Sequence, residues 1–346
     1  MEPVTHLLTG ACLSRAGLNR TTALATLTMT LAAEAPDIDV LASLNGSAFG
    51  FAHHRGFTHS FLGGILVAAG VVGLVWLLSR WKYLAPKASD PPVRWGLLFF
   101  YAYLGCLSHI LLDFTNNYGV RPLWPFSERW YSWDIVFIAE PVLLLLLLAG
   151  LVLPKLFGLI NEEVGAKRDK FPGRGGAIFA LAGILLVWGV RDYQHRQALA
   201  ALTARTYQGQ DAIRYSASPY WINPFRWAAV VETPDGFVTM DVDSLTPEVD
   251  PEGRMRLHPK PEETAVTMAA KSSPLGRVYL DWGHYPLTEV EEVAVADGKG
   301  YVVRFHDLRF GYVDASRRNL LGATVELDSK LNVLREQMGE TSSKRK

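Results

Sequence analysis

Apolar positions fall into two regimes along this chain. Through the first 190 residues or so they form long runs, and beyond that they come in short pieces separated by turn residues. Four runs approach the roughly 20 residues that a helix needs to cross a bilayer. Ser60–Ser79 carries no charge, Trp95–Leu112 carries only His109, and Ile135–Leu153 carries only Glu140. Gly175–Val190 is the shortest and has room to extend by a turn. Ahead of them lie two weaker helical segments, Val4–Ala16 and Thr21–Ala35, separated by a turn containing Gly17 and Asn19. Each is short for a span, so they predict a helical hairpin packed on the bundle and entering only part of the membrane.

From Arg191 to about Ala201 the last helix is expected to continue as an exposed stalk. Residues 205–340 then read as strands punctuated by turns: WAAVVETPDGFVTMDV, GRVYLDW, EVEEVAVADGKGYVVRF and GATVELD. The Pro234-Asp235-Gly236 and Asp297-Gly298 turns suit hairpins. The predicted architecture is a polytopic α-helical membrane domain over 1–195, a small β-rich (α+β) soluble domain over 196–340, and a disordered tail over 341–346.

Composition adds little but excludes much. The 346 residues hold 34 Lys and Arg against 34 Asp and Glu, so no net charge points to nucleic acid. Two cysteines, Cys12 and Cys106, lie in apolar stretches and read as small core residues rather than as a disulfide or a thiolate metal site. The amino terminus has no Lys or Arg before Arg15, which argues against a cleavable signal.

Basic residues set an expected orientation. The Arg80–Arg94 loop holds Arg80, Lys82, Lys87 and Arg94, and the Pro154–Arg174 loop holds Lys155, Lys167, Arg168, Lys170 and Arg174. Both are expected on the cytoplasmic side, which puts His53–His59, the Phe114–Asp134 loop and everything after Val190 outside. The outward loop still carries Arg121 and Arg129. Its Trp124, Trp130, Tyr131 and Trp133 read as an interfacial belt.

With that orientation the polar residues gather at one face. The first helix begins with Thr5-His6, and the second ends in EAPDID, with Glu34, Asp37 and Asp39. HHRGFTHS supplies His53, His54, Arg55 and His59 at the mouth of a span, and SHILLDF supplies His109 and Asp113 at the exit of the next. His109 and Asp113 are four apart and share a helical face. Asp37 and Asp39 follow Pro36 on non-helical backbone, where two carboxylates can meet one or two cations. Imidazole and carboxylate without thiolate suit Zn, Mn or Fe(II). Ionisable groups at membrane depth are costly and need partners. A single histidine at a helix end reads as an interfacial group; it is the joint occurrence that points to a metal. So many donors exceed one tetrahedral shell and suit a two-metal site. Arg55 is expected to neutralise the charge of a substrate, and Thr58 and Ser60 to cap the helix or support the ligands. Glu34 is expected at a helix end behind the ligands, and His53 exposed or behind them. Glu140 is expected as a supporting acid, a general acid/base, or a partner of Arg55 or Arg121. Asn116, Asn117 and Tyr118 either line the pocket or simply form a turn with Gly119. His195, His258, His284 and His306 show no ligand spacing and read as structural.

Taken in order, Thr5-His6, Pro36-Asp37-x-Asp39, His54-Arg55-Gly56-x-Thr58-His59-Ser60 and His109-x-x-x-Asp113 resemble the YdjM-like family, described as LexA-regulated, membrane-bound metal-dependent hydrolases. The resemblance covers roughly residues 1–190, and HRGxTHS is its specific part. It implies an inner-membrane protein of a bacterium or archaeon, with His6, Asp37, Asp39, His54, His59, His109 and Asp113 as metal ligands. The helical His/Asp pattern is also similar to that of zinc-dependent phospholipase C and related single-strand nucleases, an analogy that transfers no substrate.

The expected function is therefore hydrolysis of an ester or phosphoester by metal-activated water, at one or two divalent ions. Asp37, Asp39 or Asp113 would take the proton, and Arg55 would stabilise the developing charge. Depth in the membrane favours a lipid or lipid-linked substrate. The rival expectation is a non-catalytic membrane scaffold with a closed structural metal, its β-rich domain binding a partner. Transport fits less well, because the polar groups do not continue across the bilayer.

Overall fold

The computed structural model describes residues 1–163, 173–221, 223–295, 298–311 and 321–339. Lys167, Arg168 and Lys170 of the basic loop, Asp297 of the second turn, and the tail 341–346 lie outside the described residues. The chain forms two compact units: Met1–Asp39 with Arg55–Asp192, and Val40–His54 with Tyr193–Lys346. A boundary drawn along the sequence at 195/196 has no means of expressing the second assignment of residues 40–54.

The first unit is helical. Helix α1 (Pro3–Arg15) starts under the side chain of Glu2, which accepts from the Thr5 amide, with Pro3 at the first position. It pairs with α2 (Ala25–Glu34). At 1.5 Å per residue these are about 20 and 15 Å long, short of a span. Four helices among the described residues are long and apolar enough to cross a membrane. They are α4 (Phe61–Leu78), α5 (Trp95–Phe114), α6 (Pro141–Glu163, its apolar stretch running to Gly158) and α7 (Arg174–Thr203); the short α3 (Ser47–His53) precedes them. Ser60 caps α4 by accepting from the Gly63 amide at 2.9 Å.

Small residues let the helices approach. A Cβ at Gly105 of α5 would lie 2.9 Å from the Ala32 Cβ and 3.2 Å from the Ala33 amide of α2. Gly150 of α6 and Gly176 of α7 similarly face each other's carbonyls. Buried Ala32, Ala68, Val71, Ala102 and Cys106 fill the α2–α4–α5 core. Cys12 sits in a second cluster with Leu112, Ile135, Leu143 and Ala177. Both cysteines are free and buried, as small core residues would be.

One span differs from its expected bounds. Helix α6 begins at Pro141, not at Ile135, because proline fits the first helical position and resists an interior one. Glu140 thus lies just outside the span. Its partner is neither Arg55 nor Arg121 but Arg191, whose guanidinium donates to Glu140 at 2.9 Å, both side chains being buried.

The second unit takes the end of α7 and is rich in antiparallel strands. Its part of α7 is not an exposed stalk. Ala198 and Leu202, four apart, are fully buried with Trp227, Val231 and Val242. One sheet runs β1 (Arg214–Pro219), β2 (Arg226–Glu232), β3 (Gly236–Asp243), β4 (Glu248–Val249), with β5 (Arg256–Pro259) also on β3. The other runs β6 (Pro286–Val295), β7 (Gly298–Asp307), β8 (Ala323–Leu327), β9 (Val333–Met338).

GRVYLDW, expected as a strand, is helical. It belongs to α9 (Pro274–Trp282), which follows α8 (Ala265–Ser272). Ser273 caps it, Pro274 opens it, and buried Leu275, Tyr279 and Trp282 repeat at four and three positions, a helical face.

Candidate metal centre

Four segments of the first unit bring their polar side chains to one place. Beyond α2 the chain tightens into a 3₁₀ stretch, Ala35–Asn45, which presents Asp37 and Asp39. The turn before α4 carries Arg55 and His59, and the last two turns of α5 carry His109 and Asp113. Helix α1 brings His6. Arg55 itself has φ of 51°, in the left-handed region, and its amide donates to Asp39 Oδ2 at 2.7 Å.

Among the described residues Asp37, His59, His109 and Asp113 form one group that can hold a metal ion, with a donor atom from each lying within 4.8 Å of the others. His59 Nε2 lies 3.0 Å from His109 Nε2, 3.2 Å from Asp37 Oδ1 and 3.4 Å from Asp113 Oδ2. His109 Nε2 lies 3.4 Å from both Asp37 Oδ1 and Asp113 Oδ2. Ligands at the usual zinc distances of about 2.0–2.1 Å in a tetrahedron are about 3.3–3.4 Å apart, so this donor set fits such an ion.

The tautomers strengthen the fit. His109 Nδ1 lies 2.7 Å from the Ala33 carbonyl, which only accepts, so Nδ1 carries the proton. His59 Nδ1 lies 3.1 Å from Asp39 Oδ2 and likewise donates. Both Nε2 atoms then aim lone pairs at one another and at two carboxylate oxygens. Asp113 Oδ2 and both ring nitrogens of His6 are buried with no hydrogen-bond partner. Only a proton or a cation relieves such a convergence. Without a cation, burial pushes His59 down, but hydrogen bonds to Asp113, Asp37 and Asp39 outweigh it and push it up to about 10. Burial would raise Asp37; hydrogen bonds to His109 and His59 instead hold it well below the usual carboxylate range.

Charge around Asp113 is arranged by its Oδ1. The amino group of Met1 and the Arg55 guanidinium, the latter at 3.0 Å, both donate to it. His6 Nε2 lies 3.5 Å away, its ring stacked on His109 at 3.7 Å between centroids. Arg55 also donates to Asn116 Oδ1 at 3.3 Å and to the Gly119 carbonyl at 3.1 Å, and lies over the Tyr118 ring at 4.5 Å. Only 5% of Arg55 is exposed. It is turned to Asp113 rather than outward, which differs from the substrate-facing position expected of it. Burial lowers His6 to about 3, with the neighbouring His109 adding to the effect, so its imidazole is neutral and its lone pair available.

Of the seven ligands expected, four stand in the group. His6 stands beside it. Asp39 stands behind His59, where it also accepts from Thr58 Oγ1 at 3.3 Å, so it orients a ligand. His54 follows α3 as its C-cap and belongs to the segment assigned to the second unit; it is not among the four donors. His53 is exposed and stacks on Phe49. Two carbonyls, Ala33 and Gly119, went unforeseen because backbone leaves no sequence signal. Small residues at Ala32, Ala33 and Gly105 hint at the first, since they permit the close helix approach.

No solved structure matches the chain. Residues 1–198 match the family described as YdjM inner membrane protein, so this chain belongs to that family of membrane proteins. The uncharacterized protein YfhP of Bacillus subtilis (strain 168) is 26% identical over 161 residues, which cover 44% of this chain and 46% of that protein. The chain thus spans about half the length of the curated relative it matches.

Proposed function

We propose that this centre holds zinc, or Mn or Fe(II), and that the protein is a membrane-bound hydrolase of ester or phosphoester bonds in a lipid or lipid-linked substrate. The observation that carries the reading is the facing pair of Nε2 atoms of His59 and His109, both Nδ1 positions being committed as donors. Asp113 Oδ1, the oxygen beside His6, already accepts from the Met1 amino group and Arg55, so the reading is one ion held by Asp37, His59, His109 and Asp113. A divalent ion supplies Lewis acidity and brings the pKa of water toward neutrality.

The chain's own residues do the rest. Asp39 and the Ala33 carbonyl fix the two imidazoles. Arg55 holds Asp113 Oδ1 and keeps Oδ2 turned to the centre. The Asp37 side chain is 24% exposed, whereas those of His59, His109 and Asp113 are fully buried, so access is from the side of Asp37. In this reading Asp37, with the carboxylate oxygen not engaged as a ligand, takes a proton from water and returns it to the leaving oxygen. Water's oxygen joins the phosphorus or carbonyl carbon, the ester bond breaks, and the proton balance closes. The basic loops support an orientation with the centre and the C-terminal unit outside the cytoplasm.

Burial of three donors favours a second reading, a structural metal in a scaffold protein. Purified protein in detergent separates the two. A hydrolase releases product from a p-nitrophenyl phosphodiester or ester, and loses that activity in a chelator and regains it with zinc. A scaffold shows no turnover and an ion that does not exchange.

A further inference from the structure

Beside the centre, between α2 and α4, the first unit contains an apolar groove of about 660 Å³, the size of a ligand site. Its two ends differ. Asp37, a donor of the metal group, and Glu34 form the polar end. The remainder is hydrocarbon, with Leu31 on α2 and Val67, Val71 and Leu74 along α4. Gly70 lies among them, and a Cβ built there meets nothing within 4 Å, so open space borders its backbone. Val67 to Leu74 gives about 10 Å of wall, and Leu74 lies about 20 Å along α4 from its start. Helix α4 is long and apolar enough to cross a membrane, and Leu74 is exposed. Hydrocarbon therefore fills the groove at little cost, whereas water does not.

Resting on the hydrolase reading, we propose that this groove seats one hydrocarbon chain of the substrate and that the bond broken lies at the polar end of that chain. A chain running from Leu74 toward Asp37 delivers its headgroup to the exposed side of the centre. The groove sets which lipids are cut: single extended chains enter, and bulk at Gly70 blocks them. Substrates without a chain meet the centre without using the groove.

The test uses full-length protein in detergent and alkyl p-nitrophenyl phosphodiesters from methyl to decyl. For the wild type, kcat/KM is expected to rise at least about tenfold along the series; a methylene leaving water contributes up to about fourfold, and the micelle offsets part of that. Gly70→Trp is expected to flatten the series while leaving the methyl rate and the metal content unchanged. Leu74→Trp is a second variant should Gly70→Trp not fold. An unchanged chain-length profile in a folded variant overturns the proposal.

A photoactivatable alkyl phosphodiester gives a readout independent of turnover. Label in the peptide containing Val67–Leu74, lost in Gly70→Trp, supports the groove even where no hydrolysis occurs, and then only the hydrolase reading falls. Label elsewhere overturns the groove even where hydrolysis is found.

Discussion

The Nε2 atoms of His59 and His109 lie 3.0 Å apart, and each ring donates through its Nδ1 to a fixed acceptor, Asp39 for one and the Ala33 carbonyl for the other. Two lone pairs held this close are unfavourable unless something positive lies between them. The surrounding helices hold them there regardless, which is how a protein prepares a cation site before the cation arrives.

Asp39 and Asp113 should therefore behave differently when removed. Asp113→Ala deletes a donor and is expected to abolish stoichiometric metal binding. Asp39→Ala leaves all four donors and is expected to weaken binding about 10–100-fold. Metal titration with a competing chelator measures both. Equal losses would mean that Asp39 is itself a ligand.

Gly105 holds the second acceptor in place. A Cβ there would stand 2.9 Å from the Ala32 Cβ and 3.2 Å from the Met29 carbonyl. Gly105→Val should push α2 from α5, break the His109–Ala33 bond and weaken metal binding about tenfold or more. Gly96→Val, on the same helix with nothing within 4 Å, is the control and should bind as the wild type does. Equal metal affinity in the two variants would detach the carbonyl from ligand orientation.

Much of this centre was legible in the sequence. His109 and Asp113 were paired by helical spacing, and Asp37 and His59 by sharing a membrane face. What separates Asp37 from Asp39 is the 3₁₀ backbone of residues 35–45, which no periodicity announces. His54 and His59 look equivalent in HHRGFTHS, yet the left-handed turn at Arg55 lies between them. GRVYLDW suits a strand by its Val278, Tyr279 and Trp282 until Ser273 and Pro274 are counted as a helix start. The long spans were plain because no other structure satisfies the backbone across so much hydrocarbon.

Arg55 tests how far the buried charges depend on one another. Arg55→Ala removes the guanidinium from Asp113 Oδ1, which keeps the Met1 amino group, and leaves the Gly119 carbonyl without the Arg55 donor. It is expected to cost about 3–5 kcal/mol of stability, the usual loss when a buried pair is broken. Arg55→Lys should recover little, because a single ammonium does not reproduce the fork between Asp113, Asn116 and Gly119. Thermal unfolding in detergent with chelator present measures this apart from metal binding. Full recovery by lysine would show that charge alone matters.

The C-terminal unit has its own buried pair. Asp307 Oδ2 accepts from Arg309 at 2.8 Å and from the His284 amide at 2.8 Å, and both side chains of the pair are 1% exposed. Burial would raise the Asp307 carboxyl, but Arg309 outweighs it and holds it below the ordinary value. Its contribution is present above an unfolded value of about 3.9 and is lost as pH falls through the folded one. Asp307→Asn should therefore destabilise the protein at pH 7, and the gap to the wild type should narrow on acidification below about pH 4. Urea titrations at several pH values measure this. A gap independent of pH would contradict it.

The most direct measurement is X-ray absorption on the protein purified in detergent without added metal, at the edge of whichever element elemental analysis finds. The account predicts at least one divalent ion per chain, bound by two imidazole nitrogens and carboxylate oxygens, with the imidazole contribution halved, or the ion lost, in His59→Ala and equally in His109→Ala. A metal-free protein that refuses zinc, or a bound ion whose spectrum in His59→Ala and in His109→Ala is that of the wild type, would contradict it.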